Sequence, residues 1–190
     1  MKPQIRILGI DDSPFEFRDK KTTVIGVVMR IPSYIEAVLK TEVEVDGNDA
    51  CEKLTEMINS SRYKEQLKLV MLDGVALGGF NVIDIEEMYR NIDLPIVTIT
   101  REKPNLKAME VALKEHFKDW KKRLDIVRKG ELEMVKTKHK PIFVKFVGID
   151  LDEVKTIIEL STVRGALPEA IRVAHLIASG VAVGESYGRA

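Results

Sequence analysis

LKLVMLDG (67–74) and DLPIVTIT (93–100) decide the fold. Both are nearly continuous apolar runs, the mark of strands buried on both faces, and the segment between them, NVIDIEEMYRN (81–91), is patterned as a helix. Strand, helix and strand at this spacing form a βαβ unit, so the two strands should be parallel and the crossover right-handed.

Toward the N-terminus, IRILGI (5–10) closes on Asp11-Asp12, and TTVIGVVMR (22–30) is β-branched; the polar DDSPFEFRDKK (11–21) between them should join the two as a hairpin. YIEAVLKTEVEVDG (34–47) alternates apolar and polar residues near its end, as a third, half-exposed strand would. Asn48 is placed to cap a helix with the apolar stripe Cys51, Leu54 and Ile58.

Toward the C-terminus, Pro104 and Asn105 open one long helix carrying Leu106, Met109, Leu113, Phe117, Trp120 and Leu124 on one face and ending before Gly130. IFVKFVGI (142–149) reads as a sixth strand, DEVKTIIEL (152–160) as a helix, and PEAIRVAHLIASG (168–180) as another, with Pro168 suited to a first helical turn. GESYGRA (184–190) reads as a flexible or docking tail. Three strands in hairpin order, then alternating helices and strands, specify an α/β fold with a ribonuclease H-like mixed sheet flanked by helices. No repeat or break in composition divides residues 1–190, so a single domain is expected.

Composition narrows the function. Cys51 is the one cysteine, which excludes an intramolecular disulfide or a thiolate metal cluster and fits a reducing, cytoplasmic setting. No run of roughly 18 apolar residues offers a membrane span, so no membrane partner is expected. Thirty basic residues balance thirty acidic ones. Their distribution is uneven: residues 11–60 hold eleven Asp/Glu against six Lys/Arg, and residues 101–145 hold seven against fourteen. The first region could hold cations and the second phosphate. Neither a P-loop nor a dinucleotide-binding glycine pattern is present, which disfavours a nucleotide-binding regulatory domain.

Carboxylates end the strands: Asp11 and Asp12 after the first, Asp46 and Asp49 after the third, Asp73 after the fourth. Aspartate at a strand end often only starts a turn or caps a helix. Several gathered at one edge repel unless a cation joins them, and rigid strands suit the geometry that Mg²⁺ or Mn²⁺ demands. If the first and fourth strands are neighbours, Asp11 and Asp73 face one crevice, with Asp46 or Asp49 the third ligand.

GIDDSPF (9–15), VDGNDA (45–50), LDGVALGGFNVID (72–84), LPIVTITREKPN (94–105) and PEAIRVAHLIASGVAVGESYGRA (168–190) together resemble the archaeal endonuclease dU family, also known as DUF99 or UPF0215, which is related to endonuclease V. The resemblance implies a metal-dependent endonuclease acting on DNA that contains a deaminated base, in DNA repair. Endonuclease V has an acidic residue in a G-x-D stretch, matched by Asp11, and another in a DG pair, matched by Asp73. Its third acidic ligand is a glutamate, where this sequence has Asp46, shorter by one methylene. It also places a late aspartate or histidine near the site, for which His175 is the candidate here. A histidine beside Ile171 and Ala174 is equally suited to a packed core. The shortened third carboxylate favours the alternative of a non-catalytic nucleic-acid-binding or partner-binding module.

Other residues suit the substrate. Gly78 and Gly79 permit close approach of backbone to phosphate or base, with Phe80 beside them. Arg101 and Lys103, just past the fifth strand, are placed to meet a phosphate, and Tyr34, in the loop Ile31-Pro32-Ser33-Tyr34, could stack beside an extruded base. KDWKKRLDIVRKGE (118–131) with Lys136, Lys138 and Lys140 forms a basic patch that either tracks phosphates or merely solvates a helix.

Overall fold

The computed structural model describes residues 5–16 and 18–186. Among them, a mixed seven-stranded sheet runs in the order β3-β2-β1-β4-β7-β9-β8. β1 (Arg6–Asp12), β2 (Lys21–Arg30) and β3 (Tyr34–Glu44) form an antiparallel meander, as the hairpin order of the first three runs implies. β4 (Leu67–Asp73) lies parallel to β1 on one side and to β7 (Ile96–Thr100) on the other, so the βαβ unit has parallel strands. Beyond it, β9 (Ile142–Val147) is antiparallel to β7, and β8 (Glu133–Val135) is antiparallel to β9. β5 (Ala76–Leu77) and β6 (Asn81–Val82) form a separate small hairpin directly after β4.

Alternation along the strands divides the core in two. On one face Ile7, Met71, Ile99 and Val144 pack with α5 (Leu151–Ser161) and α6 (Glu169–Val183). On the other, Leu8, Ile10 and Leu72 pack with α1 (Ala50–Asn59) and α2 (Ile85–Ile92). The helix starts follow local chemistry. Asp84 accepts from the backbone N–H groups of Glu86 and Glu87 to cap α2, and Asp150 accepts from Glu153 N–H at 2.9 Å to cap α5. Pro168 stands at the N-cap of α6 rather than inside its first turn.

Several sequence expectations need correction. α1 is preceded by Asp49, not capped by Asn48, and the Asp49 carboxylate turns back to accept from Glu44 N–H and from the Asn81 amide. Asn81 and Val82, expected in a helix, belong to the small hairpin, and α2 begins only at Ile85. The long helix after Pro104 is broken into α3 (Leu106–His116) and α4 (Trp120–Arg128), because Phe117 is extended at φ −127° and ψ 129°. β8 falls where no strand was expected. Four residues of the tail, 187–190, lie outside the described residues.

Candidate active site

β1 and β4 pair with Ile10 opposite Leu72, so Asp11 and Asp73 follow side by side on adjacent parallel strands. By alternation both fall on the face covered by α6. Ile7 and Met71, on that same face, lie in its core. α6 comes down onto β1 at Gly9. A β-carbon there would stand 2.3 Å from the carbonyl carbon of Ala170, so only glycine admits the helix at this depth. Further along the same helix, His175 Nδ1 stands 2.8 Å from Asp11 Oδ2.

The site is electrostatically loaded. Asp11 is 5% exposed. Burial, and then the neighbouring charges of Asp73 and Asp12, push its carboxyl up to about 8. Burial likewise raises Asp73, against the opposing charges of Arg101 and His175. Asp12 is raised by burial too, although Gly78 N–H donates to its Oδ2 at 2.8 Å. The Asp12 backbone N–H donates to Asp11 Oδ1 at 2.9 Å, tying the two neighbours together. Asp12, whose charge acts on both Asp11 and Asp73, is the third carboxylate of this group.

Asp46, expected to be the third ligand, is employed otherwise. It is exposed, in the left-handed region at φ 56°, and its Oδ1 accepts from Phe80 N–H at 2.8 Å. Its own N–H donates to Gly78 O at 2.7 Å. The charges acting most on Asp11, Asp12 and Asp73 are one another, Arg101 and His175, and Asp46 is not among them. Asp46 and Asp12 thus grip the glycine loop 78–80 from two sides. Asp49 does not join the carboxylates either, being held by Glu44 and Asn81.

Phe80 is half-buried, edge-on to Phe117 with ring centroids 5.7 Å apart. Its carbonyl accepts from Arg123 at 2.7 Å, and Arg123 also donates to Gly47 O at 2.8 Å. Arg123 is 4% exposed and lies over the Phe117 ring, so it belongs to the scaffold of this loop and not to a solvated basic face. Gly79 is exposed beside it.

Arg101 and Lys103 lie past the end of β7, and Arg101 acts on both Asp11 and Asp73. Lys103 borders a cavity of about 130 Å³ with Thr98, Val127 and Lys145.

Tyr34 is set apart from the carboxylates. Across the meander, Asp11 pairs with Ile25 and Ile25 with Lys40, whereas Tyr34 pairs with Arg30 and Arg30 with Arg6. Six residues down the strand, at roughly 3.3 Å each, put Tyr34 about 20 Å from the level of Asp11, at the other end of the sheet. Its ring sits under the Arg30 guanidinium.

The sheet also divides the basic patch. Lys145 Nζ, on the α1 and α2 side of β9, donates to the carbonyls of Val127 and Lys129 and so fastens α4 to that face. Lys136, Lys138 and Lys140 follow Val135, whose side chain lies in the core of the opposite face.

A pair of aspartates, Asp11 buried and Asp73 half-buried, at the centre of a 3-2-1-4 strand order defines a ribonuclease H-like α/β protein with an acidic strand-end site. The family model described as endonuclease dU matches residues 3–182, and the chain belongs to that family. A UPF0215 protein of Methanothermobacter thermautotrophicus is 43% identical over 192 residues, covering 100% of this chain and 94% of the relative. A solved protein of Archaeoglobus fulgidus superposes with a TM-score of 0.84 at 35% identity, covering 93% of this chain and 98% of that one. Endonuclease V of Ciona intestinalis, solved with a DNA containing an inosine, shares the fold with a TM-score of 0.58 at 15% identity over 90% of this chain and 82% of that one. Among the described residues, no helix is long and apolar enough to cross a membrane.

Proposed function

We propose that this protein is an endonuclease that hydrolyses DNA phosphodiesters at or near deaminated bases, uracil first and hypoxanthine second, with Mg²⁺ or Mn²⁺ at the strand ends. The observation that carries the reading is the placement of buried Asp11 and half-buried Asp73 side by side on adjacent strands, with His175 bonded to Asp11. Membership of the endonuclease dU family supports it, as does a fold shared with an endonuclease V solved on inosine-containing DNA.

The donor set fits a hard divalent cation. Carboxylate oxygens are its preferred ligands, and like charges this deep are unfavourable without a counter-charge. Among the described residues, no three acidic, histidine or cysteine side chains are already drawn to ligand spacing. Asp11 and Asp73 would therefore hold the ion, with Asp12 and His175 in support; Mg²⁺ habitually keeps several waters. Once bound, the ion would supply Lewis-acid polarisation of a phosphoryl oxygen.

The protein's own groups do the remaining work. With Asp11 ionised, His175 Nδ1–H donates to its Oδ2, which fixes the ring tautomer and leaves Nε2 free to take up or return a proton. Arg101 brings positive charge toward the phosphate. The loop at Gly78 and Gly79, held by Asp12 and Asp46, lets the substrate backbone approach closely.

The test is incubation with end-labelled duplexes containing uracil, hypoxanthine or neither, in Mg²⁺ and in chelator. Cleavage that needs Mg²⁺ and favours uracil is expected. Equal cleavage of damaged and undamaged duplexes would remove the base preference; binding without cleavage would leave a non-catalytic nucleic-acid module.

A further inference from the structure

Far along the sheet from the aspartates, β8 and α5 enclose a cavity of about 600 Å³. Its lining includes Lys136, Lys138 and His139 from the β8–β9 turn and Lys155 from α5, together with the apolar Met134, Ile158 and Val163. Met134 and Val163 are 52% and 59% exposed, so both offer apolar surface to an occupant. The acidic neighbours are Glu159 in the lining and Asp152, which pairs with Lys155.

Register places this cavity relative to the aspartates. Asp73 pairs with Ile99, Ile99 with Val144, and Val144 with Glu133. Glu133 is thus level with Asp73, three strands away, or roughly 14 Å at about 4.8 Å per strand. β8 is antiparallel to β9, which is antiparallel to β7, so β8 runs in the direction of β4. Lys136 to His139 therefore leave the sheet at the same end as Asp73. Val135 and Ile158 belong to the core beneath α6, so the cavity also shares the face of Asp11 and His175.

We infer that this cavity is a second nucleic-acid subsite that takes a nucleotide of the strand flanking the scissile phosphate, its phosphate on Lys136 and Lys138 and its base on the Met134–Val163 surface. The inference rests on the nuclease reading for the position of the scissile phosphate. Glu133, just before the cavity lining, lies roughly 14 Å from Asp73, a span of about four base pairs of duplex at 3.4 Å of axial rise each, so a strand that crosses the sheet edge past Arg101 extends to the cavity. Charge complementarity selects the occupant: three lysines against the single carboxylate of Glu159 in the lining suit a phosphodiester, and the exposed apolar side chains suit the flat face of a base. Lys136 and Lys138 are exposed, so neutralising them should leave the fold unaltered.

The experiment measures binding in chelator, without cleavage, of fluorescent duplexes carrying one uracil, with the arm on either side of it long or cut to two nucleotides. Lys136→Gln with Lys138→Gln should weaken long-arm binding about tenfold and lower the salt slope by about one, for the one phosphate they share. Val163→Asp should weaken it as well. Shortening the arm on one side should abolish both effects. Unchanged affinity, or an equal loss whatever the arm length, would overturn the subsite. A wild-type protein that cleaves while these variants bind normally defeats this inference alone. Length-dependent binding without any cleavage defeats the nuclease reading and leaves the subsite standing.

Discussion

His175 Nδ1 stands 2.8 Å from Asp11 Oδ2 although 164 positions separate the two in sequence, and Gly9 is what lets them meet. Gly9 lies two residues before Asp11 on the same face of β1, where α6 seats the backbone of Ala170 and Ile171 against it. The depth of that seat sets where His175 falls, so a position with no side chain positions a side chain in the site.

Gly9→Ala should consequently loosen the helix. The added carbon would meet backbone atoms at 2.3 to 2.6 Å, and backbone cannot rotate aside. Overpacking of this kind costs about 1–3 kcal/mol, or roughly 2–10 °C in Tm for a chain of this size. The NMR chemical shifts of the His175 ring should move as its contact with Asp11 lengthens. An unchanged melt and an unchanged ring spectrum would show that α6 is not clamped there.

Stability should fall with rising pH through the neutral range. Asp11 is held at about 8 in the folded chain, against about 3.9 for an unperturbed aspartate. Between those values the folded state keeps a proton that the unfolded state has released. The stabilisation is therefore complete below about pH 4 and lost as pH climbs toward 8. In chelator, Asp11→Asn should melt increasingly above the wild type from pH 5 to pH 8.5. Adding Mn²⁺ at the upper end should raise the wild-type Tm and leave the variant where it is. A wild-type Tm that holds level relative to the variant over that window would contradict the burial argument.

Asp11 and Asp73 were legible because each ends an uninterrupted apolar run, and a βαβ reading of residues 67–100 already implied a parallel sheet. Asp46 fits the ligand pattern because a third carboxylate near the end of a third strand resembles the other two, whereas in the structure its carboxylate accepts from Phe80 N–H. What diverts it is a fold-back of the loop at Phe80, 34 residues later, which local patterning does not encode. Arg123 was hidden among lysines for a similar reason, since its carbonyl partners, Gly47 and Phe80, lie 76 and 43 positions away. Lys145 did carry a signal, as a lone charge inside the apolar run IFVKFVGI. Tyr34 did carry a contrary signal: in strands joined as successive hairpins the turns alternate ends, so the β2–β3 turn at Tyr34 lies opposite the β1–β2 connection that begins at Asp11.

Arg123→Ala should destabilise far more than removal of its neighbouring lysines. The guanidinium serves two backbone carbonyls and Asp119 while packed over Phe117, and its loss strands buried acceptors. Truncating one partner of such a set costs about 2–4 kcal/mol. Lys121→Ala and Lys122→Ala, on exposed positions, should stay within about 0.5 kcal/mol of the parent. Chemical denaturation of the three variants provides the measurement, and equal midpoints would return Arg123 to the surface.

Asp46 separates two roles by its own substitutions. If its carboxylate serves to hold the glycine loop through Phe80 N–H, Asp46→Asn keeps an acceptor oxygen there and tolerates the left-handed backbone, whereas Asp46→Ala keeps neither advantage. Asp46→Asn should then resemble the wild type in stability and in the rise of Tm with Mn²⁺. Asp46→Ala should lose about 1–2 kcal/mol, still respond to Mn²⁺, and discriminate uracil-containing from normal duplexes less well, because Gly78, Gly79 and Phe80 are no longer held in place. Phe80→Ala should erode the same discrimination while sparing the response to the ion. Asp73→Asn is the contrast: it should retain the folded stability and abolish the Mn²⁺-induced rise, since it removes one of the two paired strand-end carboxylates. A Mn²⁺ response lost in Asp46→Asn as completely as in Asp73→Asn would place Asp46 among the ligands and make its bond to Phe80 N–H a feature of the ion-free state.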